Sequence, residues 1–351
     1  MIFVHLNNSY TGSVKVLSNL IDEYSETDEV TLITSFESEG FLKRNARIRC
    51  INVNYFSSTN RVVKVLSFFK FQLIAFYFII KEKKGGIVYI NTIEPFLLGV
   101  MCKIFGYKVI CHLHENFQSN NFRSRLMFYA MYFYASRIIC VSKFLYNNLP
   151  LQLRNRSTVI YNSIRDEKLT FRKKKLYKKV LMISSLKEYK GVYHFCELAK
   201  LMPDFKFLLV VSSDQKAISN YFREYMALSN LNIYPVCNRV EKYYESSDLI
   251  LNLSDPLLIA ETFGLTILEA KYFGLPAIVP EIGGITELIT DGVDGFKVSV
   301  HQKLQLVSSI KYILNDQKIY RDFSNNALAS ITNFNFSEEY IKWKQVIKLE
   351  K

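Results

Sequence analysis

The chain has 351 residues, of which 49% are hydrophobic, and its formal net charge at pH 7 is +13. This length exceeds that of a typical single domain and suits two domains of about 150–180 residues. The positive charge favours an acidic partner, which can be a phosphate compound, a nucleic acid or an anionic membrane surface. Residues 2–4 form an apolar strand-like start without the regions of a signal peptide. Six cysteines without paired spacing indicate reduced thiols, so we expect a cytoplasmic protein.

The first half of the chain alternates short apolar runs with helix-like segments, which favours a parallel α/β sheet. The runs predict buried strands at residues 2–6, 30–34, 48–53, 87–90, 109–113, 138–141 and 159–161. The loop after the first run contains Gly12 and Ser13 but no G-x-G-x-x-G pattern. It therefore does not indicate a dinucleotide-binding site.

Residues 61–84 combine apolar, aromatic and basic side chains. The apolar run at residues 71–80 is shorter than the roughly 20 residues that span a bilayer. Residues 61–84 contain Glu82 as their single acid. Their basic residues flank or interrupt the apolar segment: Arg61, Lys64, Lys70, Lys81, Lys83 and Lys84. Such a helix suits an anionic membrane surface. The same pattern also suits a helix buried against the sheet with its basic ends in water, and both placements stay open.

Two histidines end the strand predicted at residues 109–113. His112 and His114 lie two positions apart, so they share one face of the strand, and His114 is nearer its end. A metal site would need a third and a fourth ligand close by. The sequence offers no obvious set, so we expect no metal ion.

A basic run separates the two predicted domains. Residues 168–179 hold seven basic side chains and no acidic one, which is typical of a solvated linker, here bounded at residues 166–179. The second domain, residues 180–334, opens with a strand at 180–183. Lys190 then precedes Gly191 and a helix that continues to residue 201. A lysine at this strand-to-helix turn can reach a diphosphate as a point charge.

The most informative stretch is residues 249–298. A buried strand at 249–253 leads into a loop with Glu261, and a helix at 265–273 carries Glu269. The backbone N–H groups of Phe263, Gly264 and Leu265 lie at the start of this helix and favour an anion such as phosphate. Gly264 allows close approach because it has no side chain. Carboxylates beside a phosphate-binding helix start suit a ligand with both hydroxyls and phosphates, such as a nucleotide sugar.

The run ETFGLTILEA places seven residues between Glu261 and Glu269, and GLPAIVPEIGGITELI and DGVDGF follow it. This pattern resembles the donor-site signature of retaining glycosyltransferase family 4. That family has the GT-B fold, an α/β architecture of two doubly wound Rossmann-like domains facing a central cleft. The resemblance implies that Glu261 contacts the donor sugar and that Glu269 contacts the ribose hydroxyls. It also implies that Asn238 and Val240 lie near the nucleobase and that His114 faces the sugar.

The sequence departs from the family pattern at two positions. The first loop has Gly12, followed by Ser13, where the family often has a double glycine, and we keep both as cleft residues. Ser185 stands in the donor site where the family commonly has an arginine, five residues before the lysine. Stabilisation of the phosphates would therefore depend on Lys190 and on the helix start at Gly264.

The resemblance implies a retaining glycosyltransferase that moves a sugar from a nucleoside diphosphate sugar, its co-substrate, to an acceptor hydroxyl. We expect a lipid-linked saccharide of cell-surface polysaccharide assembly as the acceptor, and no cofactor. The catalytic residues would be Glu261, His114 and Lys190. The chain has no Asp-x-Asp, which argues against a metal-dependent GT-A enzyme.

The C-terminal helix, residues 335–351 with Ser337 as its N-cap, would pack back on the N-terminal domain, residues 1–165. A membrane-bound helix at residues 61–84 would place the protein on the inner face of the plasma membrane. Two other classes stay open: a GT-B nucleotide-sugar enzyme of different chemistry, such as an epimerase, and a non-catalytic anion- or membrane-binding protein. The basic residues lie in a linker and beside an apolar helix, which does not match a nucleic-acid module.

Overall fold

The computed structural model describes residues 1–56, 60–82, 85–116, 122–165, 176–235 and 240–350, with residues 122–124 described by their backbone alone. The chain divides into two compact units. The first unit comprises Met1–Arg165 and Phe336–Lys351, and the second comprises Asp166–Asn335. Most of the predicted linker, together with Asn238, lies outside the described residues.

The first unit contains a seven-stranded sheet in which every pair of neighbouring strands is parallel. Its strands are β1 (Ile2–Asn7), β2 (Val30–Ser35), β3 (Ile48–Asn52), β4 (Ile87–Asn91), β5 (Lys108–Leu113), β6 (Ala135–Cys140) and β7 (Ser157–Val159). They lie in the order β3-β2-β1-β4-β5-β6-β7. The helices are α1 (Gly12–Tyr24), α2 (Arg61–Glu82), α3 (Phe96–Ile104), α4 (Phe122–Tyr134), α5 (Lys143–Asn148) and α6 (Leu151–Arg154). The central strands are continuous apolar runs because both faces of the sheet are covered.

The strand predicted at residues 159–161 is shifted in the structure. β7 pairs with β6 through Ser157, Thr158 and Val159, and Tyr161 lies beyond its end. The Tyr161 N–H donates instead to a carboxylate oxygen of Glu339 at 2.9 Å. The Ile160 N–H still donates to the carbonyl oxygen of Cys140 at 3.0 Å, so the pairing with β6 stops after Ile160 and a side-chain acceptor satisfies the Tyr161 N–H.

The second unit contains a six-stranded parallel sheet in the order β10-β9-β8-β11-β12-β13. Its strands are β8 (Lys179–Ser184), β9 (Lys206–Val211), β10 (Leu231–Pro235), β11 (Leu249–Leu251), β12 (Ala277–Val279) and β13 (Gly295–Lys297). The helices are α7 (Val192–Leu201), α8 (Gln215–Tyr221), α9 (Glu241–Ser246), α10 (Leu265–Tyr272), α11 (Lys303–Leu314) and α12 (Gln317–Ser330). A short 3-10 helix, Gly284–Leu288, follows Gly283.

Each sheet reverses its direction of winding at its centre. In the first unit the chain runs from β1 to β2 and β3 on one side, then crosses to β4 on the other. In the second unit it runs from β8 to β9 and β10, then crosses to β11. Open α/β sheets bind ligands at the carboxyl ends of the strands beside this reversal. Ligand sites are therefore expected at the carboxyl ends of β1 and β4, the β1/β4 edge, and of β8 and β11, the β8/β11 edge.

The last helix, α13 (Phe336–Lys348), belongs to the first unit. Its Trp343 is fully buried, and the indole N–H donates to the hydroxyl oxygen of Tyr89 on β4 at 3.0 Å. The Tyr89 hydroxyl lies 2.8 Å from Nδ1 of His112 on β5. Because α13 already begins at Phe336, Ser337 lies in its first turn, and the prediction that it is the N-cap was wrong.

Candidate functional site

An ion pair occupies the β8/β11 edge of the second unit. Lys190 ends a 3-10 helix, Glu188–Lys190, that follows β8, and Glu261 lies in the loop after β11. The Lys190 Nζ is 2.5 Å from Oε2 of Glu261, and both side chains are largely buried. Ser254 Oγ donates to the same carboxylate oxygen at 3.3 Å. The structure thus brings together two of the three residues predicted to be catalytic.

Both members of this pair are charged at neutral pH. Burial by itself raises the pKa of Glu261, but Lys190, Ser254 and Asn252 outweigh burial and hold it below its usual value. Burial lowers the pKa of Lys190, and the Glu261 carboxylate outweighs that effect, so the net shift is upward. The site therefore presents a positioned cation and a positioned carboxylate.

Two glycines allow the loops to approach one another here. Gly191, directly after Lys190, has φ +71°, and a Cβ there would overlap the carbonyl oxygen of Leu253. Gly264, directly before α10, has φ +94°, and a Cβ there would lie 2.6 Å from Cγ1 of Ile285. Positive φ and lack of space both restrict these positions to glycine. Gly264 thereby allows α10 to begin at Leu265, four residues after Glu261.

The start of α10 offers backbone groups rather than side chains. Leu265 is the first helical residue, as the sequence predicted, and α10 ends at Tyr272. The Phe263 side chain is buried and its ring contacts Phe334, with ring centroids 6.0 Å apart. Phe263 and Leu265 can therefore serve a ligand through their N–H groups at the positive end of the helix dipole.

Glu269 lies on α10 and is oriented by a residue that the sequence analysis missed. The Tyr244 hydroxyl, on α9, donates to Oε2 of Glu269 at 2.6 Å. Burial and the nearby Glu269 raise the pKa of Tyr244 well above its usual value, so this hydroxyl keeps its proton. Val240 lies directly before α9, and Ser185 lies in the loop after β8. Asn238 is outside the described residues.

The β1/β4 edge of the first unit collects a second set of polar side chains. His114, just past the end of β5, has Nε2 at 3.1 Å from Oδ1 of Asn91, the last residue of β4. The Asn91 side-chain amide donates to the carbonyl oxygen of Ser13 at 3.2 Å, which connects His114 to the first turn of α1 next to Gly12. Thr92 follows with φ +78°, a strained value for a non-glycine residue that is often found at functional sites.

His114 and Glu115 are both uncharged at neutral pH. Burial holds the pKa of His114 well below its usual value, and the nearby His112 and His5 lower it further. Burial, with a contribution from Glu94, raises the pKa of Glu115 to about 8, although the N–H groups of Ile93 and His114 oppose this shift. This edge therefore presents neutral hydrogen-bonding groups, which suit hydroxyls better than phosphates.

Glu115→Gln is expected to change how thermal stability depends on pH. The native state retains the Glu115 proton up to pH 8, whereas the unfolded chain loses it near 4.5. The native state binds more protons in this window, so the stability of the wild type falls as pH rises through it. The melting temperature of Glu115→Gln relative to the wild type should increase between pH 5 and pH 9. Glu37→Gln, an exposed position in the same unit, is the matched control. A constant difference for Glu115→Gln would contradict the protonated carboxyl.

Asn91, Tyr244, Asn252 and Ser254 were not identified from the sequence. Three of them do carry a recognisable signal, because Asn91 ends β4 and Asn252 and Ser254 lie within three residues of the end of β11. Polar residues at the carboxyl ends of buried strands are the general expectation for such sites. Among the described residues, no group of three or more histidine, cysteine, aspartate or glutamate side chains could hold a metal ion.

Two family models match consecutive parts of the chain. The model for glycosyltransferase family 4 matches residues 10–168, and the model for glycosyl transferases group 1 matches residues 163–329. Together they cover residues 10–329, which include most of both units, and the second match includes Lys190, Glu261 and Glu269.

Individual proteins show the same relationship at low identity. An uncharacterized glycosyltransferase of Methanocaldococcus jannaschii is 26% identical over 211 residues, which cover 59% of this chain and only 58% of that relative's length. The UDP-Gal:alpha-D-GlcNAc-diphosphoundecaprenol alpha-1,3-galactosyltransferase of Escherichia coli is 26% identical over 313 residues, 78% of each chain.

The fold comparison covers the whole chain. The crystal structure of Anabaena HepE in complex with UDP and glucose has a TM-score of 0.80 at 17% identity, and the alignment covers 99% of this chain and 98% of HepE. The two family models and the fold comparison agree. The chain belongs to the glycosyltransferases of family 4 and group 1, which have the GT-B fold.

Proposed function

We propose that this protein transfers a sugar, with retention of its anomeric configuration, from a nucleoside diphosphate sugar to an acceptor hydroxyl. The observation that carries the proposal is the Lys190–Glu261 pair at the β8/β11 edge, in which Glu261 lies four residues before the start of α10. A fixed cation, a fixed carboxylate and a helix start at one sheet edge suit a ligand that carries both phosphates and hydroxyls. Glu269, held by Tyr244, supplies a second oriented acceptor for hydroxyls.

The transfer forms a bond between the acceptor oxygen and the anomeric carbon and breaks the bond from that carbon to the diphosphate. The acceptor proton passes to the leaving phosphate oxygen on the same face, so no protein nucleophile is assigned. Negative charge develops on the departing diphosphate. Lys190 and the N–H groups at the start of α10 are the preorganised positive groups that offset it. The proposed reaction accordingly uses no metal ion or cofactor.

The comparisons support a choice of donor and acceptor to test first. HepE was crystallised with UDP and glucose, and the E. coli relative is named for UDP-Gal and a diphosphoundecaprenol-linked GlcNAc. We propose a UDP-sugar as donor and a lipid-linked saccharide of cell-surface polysaccharide assembly as acceptor. The neutral His114 beside Asn91, on the first unit, is proposed to bind sugar hydroxyls.

The test is a thermal-shift series of the full chain with UDP, GDP, ADP and their common sugar conjugates, without metal and with EDTA. A ligand that binds only the native state raises stability by about 2.7 kcal/mol at 100 times its dissociation constant. We expect a uridine ligand to raise the melting temperature of the wild type. Glu269→Gln should reduce this shift because the variant loses the ribose contact. Glu281→Gln, the same change at an exposed position of the same unit, should retain it.

Product analysis then separates the possible chemistries. With a UDP-sugar and a lipid-linked acceptor, we expect a new α-linked glycolipid. An epimerised donor without acceptor product would instead identify a nucleotide-sugar enzyme of different chemistry. If no nucleotide shifts the melting temperature, or if Glu269→Gln responds like the wild type, the assigned donor site is wrong.

A further inference from the structure

Helix α2 has two different faces. Phe68, Phe71, Ala75 and Ile79 are at most 7% exposed and pack into the first unit. The opposite face carries an unbroken apolar stripe at helical spacing, with every member between 39% and 66% exposed: Val62, Leu66, Phe69, Leu73, Tyr77 and Ile80. The sequence left open whether this helix is buried or faces a membrane, and the structure shows one face buried and the opposite face exposed. Water does not favour such a stripe, so it indicates a binding surface.

The apolar surface continues beyond α2. The Phe76 ring contacts Phe105, just past the end of α3, with ring centroids 5.0 Å apart. Phe105 and its neighbour Ile104 are more than 60% exposed. Helix α4, which packs against α3, adds an exposed row of its own: Leu126, Tyr129, Tyr132 and Phe133. We call the exposed apolar residues of these three helices, with Phe105, the α2–α4 surface.

The charged residues within the three helices are almost all positive. Helices α2, α3 and α4 contain Glu82 as their single acid, and it pairs with Arg49 at 2.6 Å. Their basic residues number seven: Arg61, Lys64, Lys70, Lys81, Lys103, Arg123 and Arg125. Two tyrosines of the surface lie under cations, with Lys81 Nζ 4.4 Å from the Tyr77 ring centroid and Arg156 5.2 Å from that of Tyr132. Aromatic residues next to lysine or arginine are typical of the headgroup region of a bilayer.

Helix α2 is also long and apolar enough to cross a membrane by length and composition. The apolar run counted from the sequence, residues 71–80, was too short to span a bilayer because it left out the apolar residues of the helix before position 71. Its contacts nevertheless fix α2 to the rest of the first unit. Oε1 of the buried Gln72 accepts the N–H groups of Leu97 and Leu98 at the start of α3, and Ser67 Oγ accepts the N–H of Phe56. Spanning a bilayer would break these bonds and expose the buried face, whereas lying on the bilayer preserves both.

We propose that the α2–α4 surface docks on an anionic phospholipid bilayer, with the apolar stripe in the headgroup–acyl boundary and the basic residues on lipid phosphates. The basic residues of the three helices favour an anionic bilayer over a second copy of the chain, because the same basic residues on two copies would repel each other. The inference goes beyond the proposed sugar transfer and does not depend on it, because binding to vesicles requires neither donor nor acceptor. It places the protein peripherally on a membrane.

The test is co-sedimentation of the full chain with vesicles of phosphatidylcholine containing 30% phosphatidylglycerol, and with vesicles of phosphatidylcholine alone. We expect binding to the anionic vesicles, at least about 10-fold weaker binding to the neutral ones, and a decrease with added NaCl. The double variant Leu66→Glu/Leu73→Glu should bind anionic vesicles at least about 10-fold more weakly, since it removes two apolar contacts and adds two negative charges. Both positions are exposed, so folding should be preserved, and melting temperature checks this.

The matched control is Leu201→Glu/Leu304→Glu, which makes the same change at two exposed helical leucines of the second unit. It should bind vesicles like the wild type. Light scattering on a size-exclusion column tests the competing occupant, a second copy of the chain. A dimer that Leu66→Glu/Leu73→Glu converts to a monomer would overturn the proposal. Absence of vesicle binding by the wild type, or equal binding by the two double variants, would overturn it as well.

Discussion

Lys190→Met is expected to lower kcat for sugar transfer by about 100- to 1,000-fold, with a smaller effect on donor affinity. The Lys190 ammonium is positioned by Glu261 at the β8/β11 edge, and it is the one cationic side chain there that we assign to the leaving diphosphate. The family position that commonly adds an arginine is Ser185 in this chain. No arginine at that position can therefore compensate for the lost lysine. The loss of stabilisation should be largest in the transition state, where negative charge develops on the diphosphate. Steady-state kinetics with the donor identified by thermal shift measure it.

Two further variants separate catalysis from structure. Lys187→Met removes the same charge from an exposed residue of the same loop and should leave kcat within a few-fold of the wild type. Lys190→Met/Glu261→Gln removes both members of the buried pair, which cancels the penalty of an unpaired carboxylate. Its turnover is compared with that of Glu261→Gln alone, because Glu261 is itself assigned to the donor sugar. If Lys190 served only to neutralise Glu261, the double variant would turn over as fast as Glu261→Gln. We expect it to be slower, and equal turnover would refute the assignment of Lys190 to the phosphate.

Lys271→Met is expected to reduce the free energy of unfolding of the second unit by about 3–5 kcal/mol. Lys271, on α10, is fully buried, and its Nζ lies 2.8 Å from Oδ2 of Asp294, which is 2% exposed. The same Nζ donates to the carbonyl oxygen of Leu288. The variant leaves the Asp294 carboxylate buried without its cation, and this unpaired charge is the main source of the loss. Urea denaturation of the full chain, followed by circular dichroism, measures the change.

The control for this prediction is an exposed lysine. Lys303→Met, on α11, makes the same substitution in water and should change stability by less than about 0.5 kcal/mol. Lys271→Met/Asp294→Asn should regain most of the loss, because asparagine can still accept the Thr290 N–H that Asp294 Oδ1 accepts at 2.8 Å. A Lys271→Met variant as stable as the wild type would show that the pair contributes nothing to α10.

The loop and helix at residues 261–269 of the proposed donor site were the part most readily predicted. Glu261, Gly264 and Glu269 lie in one continuous run whose strand, loop and helix follow each other closely, and α10 begins at Leu265 as expected. Local patterns of apolar residues and glycines specify such units because the strand and helix periods differ and glycine ends helices. The sequence also predicted that Lys190 closes a strand-to-helix turn. Its contact with Glu261 depends on β8 and β11 being neighbours, although 71 residues separate the two side chains.

What the sequence determined by itself is therefore local: the parallel α/β class, most strand and helix positions, and a signature specific enough to indicate the family. Only the tertiary structure decided which distant groups meet, including Tyr244 with Glu269, Asn91 with His114, and Trp343 with Tyr89. It also decided that one face of α2 is buried while the other is exposed. Periodicity reports which residues share a face of an element, but strand order and packing determine what that face meets. Those depend on contacts between residues far apart in the chain, which one sequence does not record.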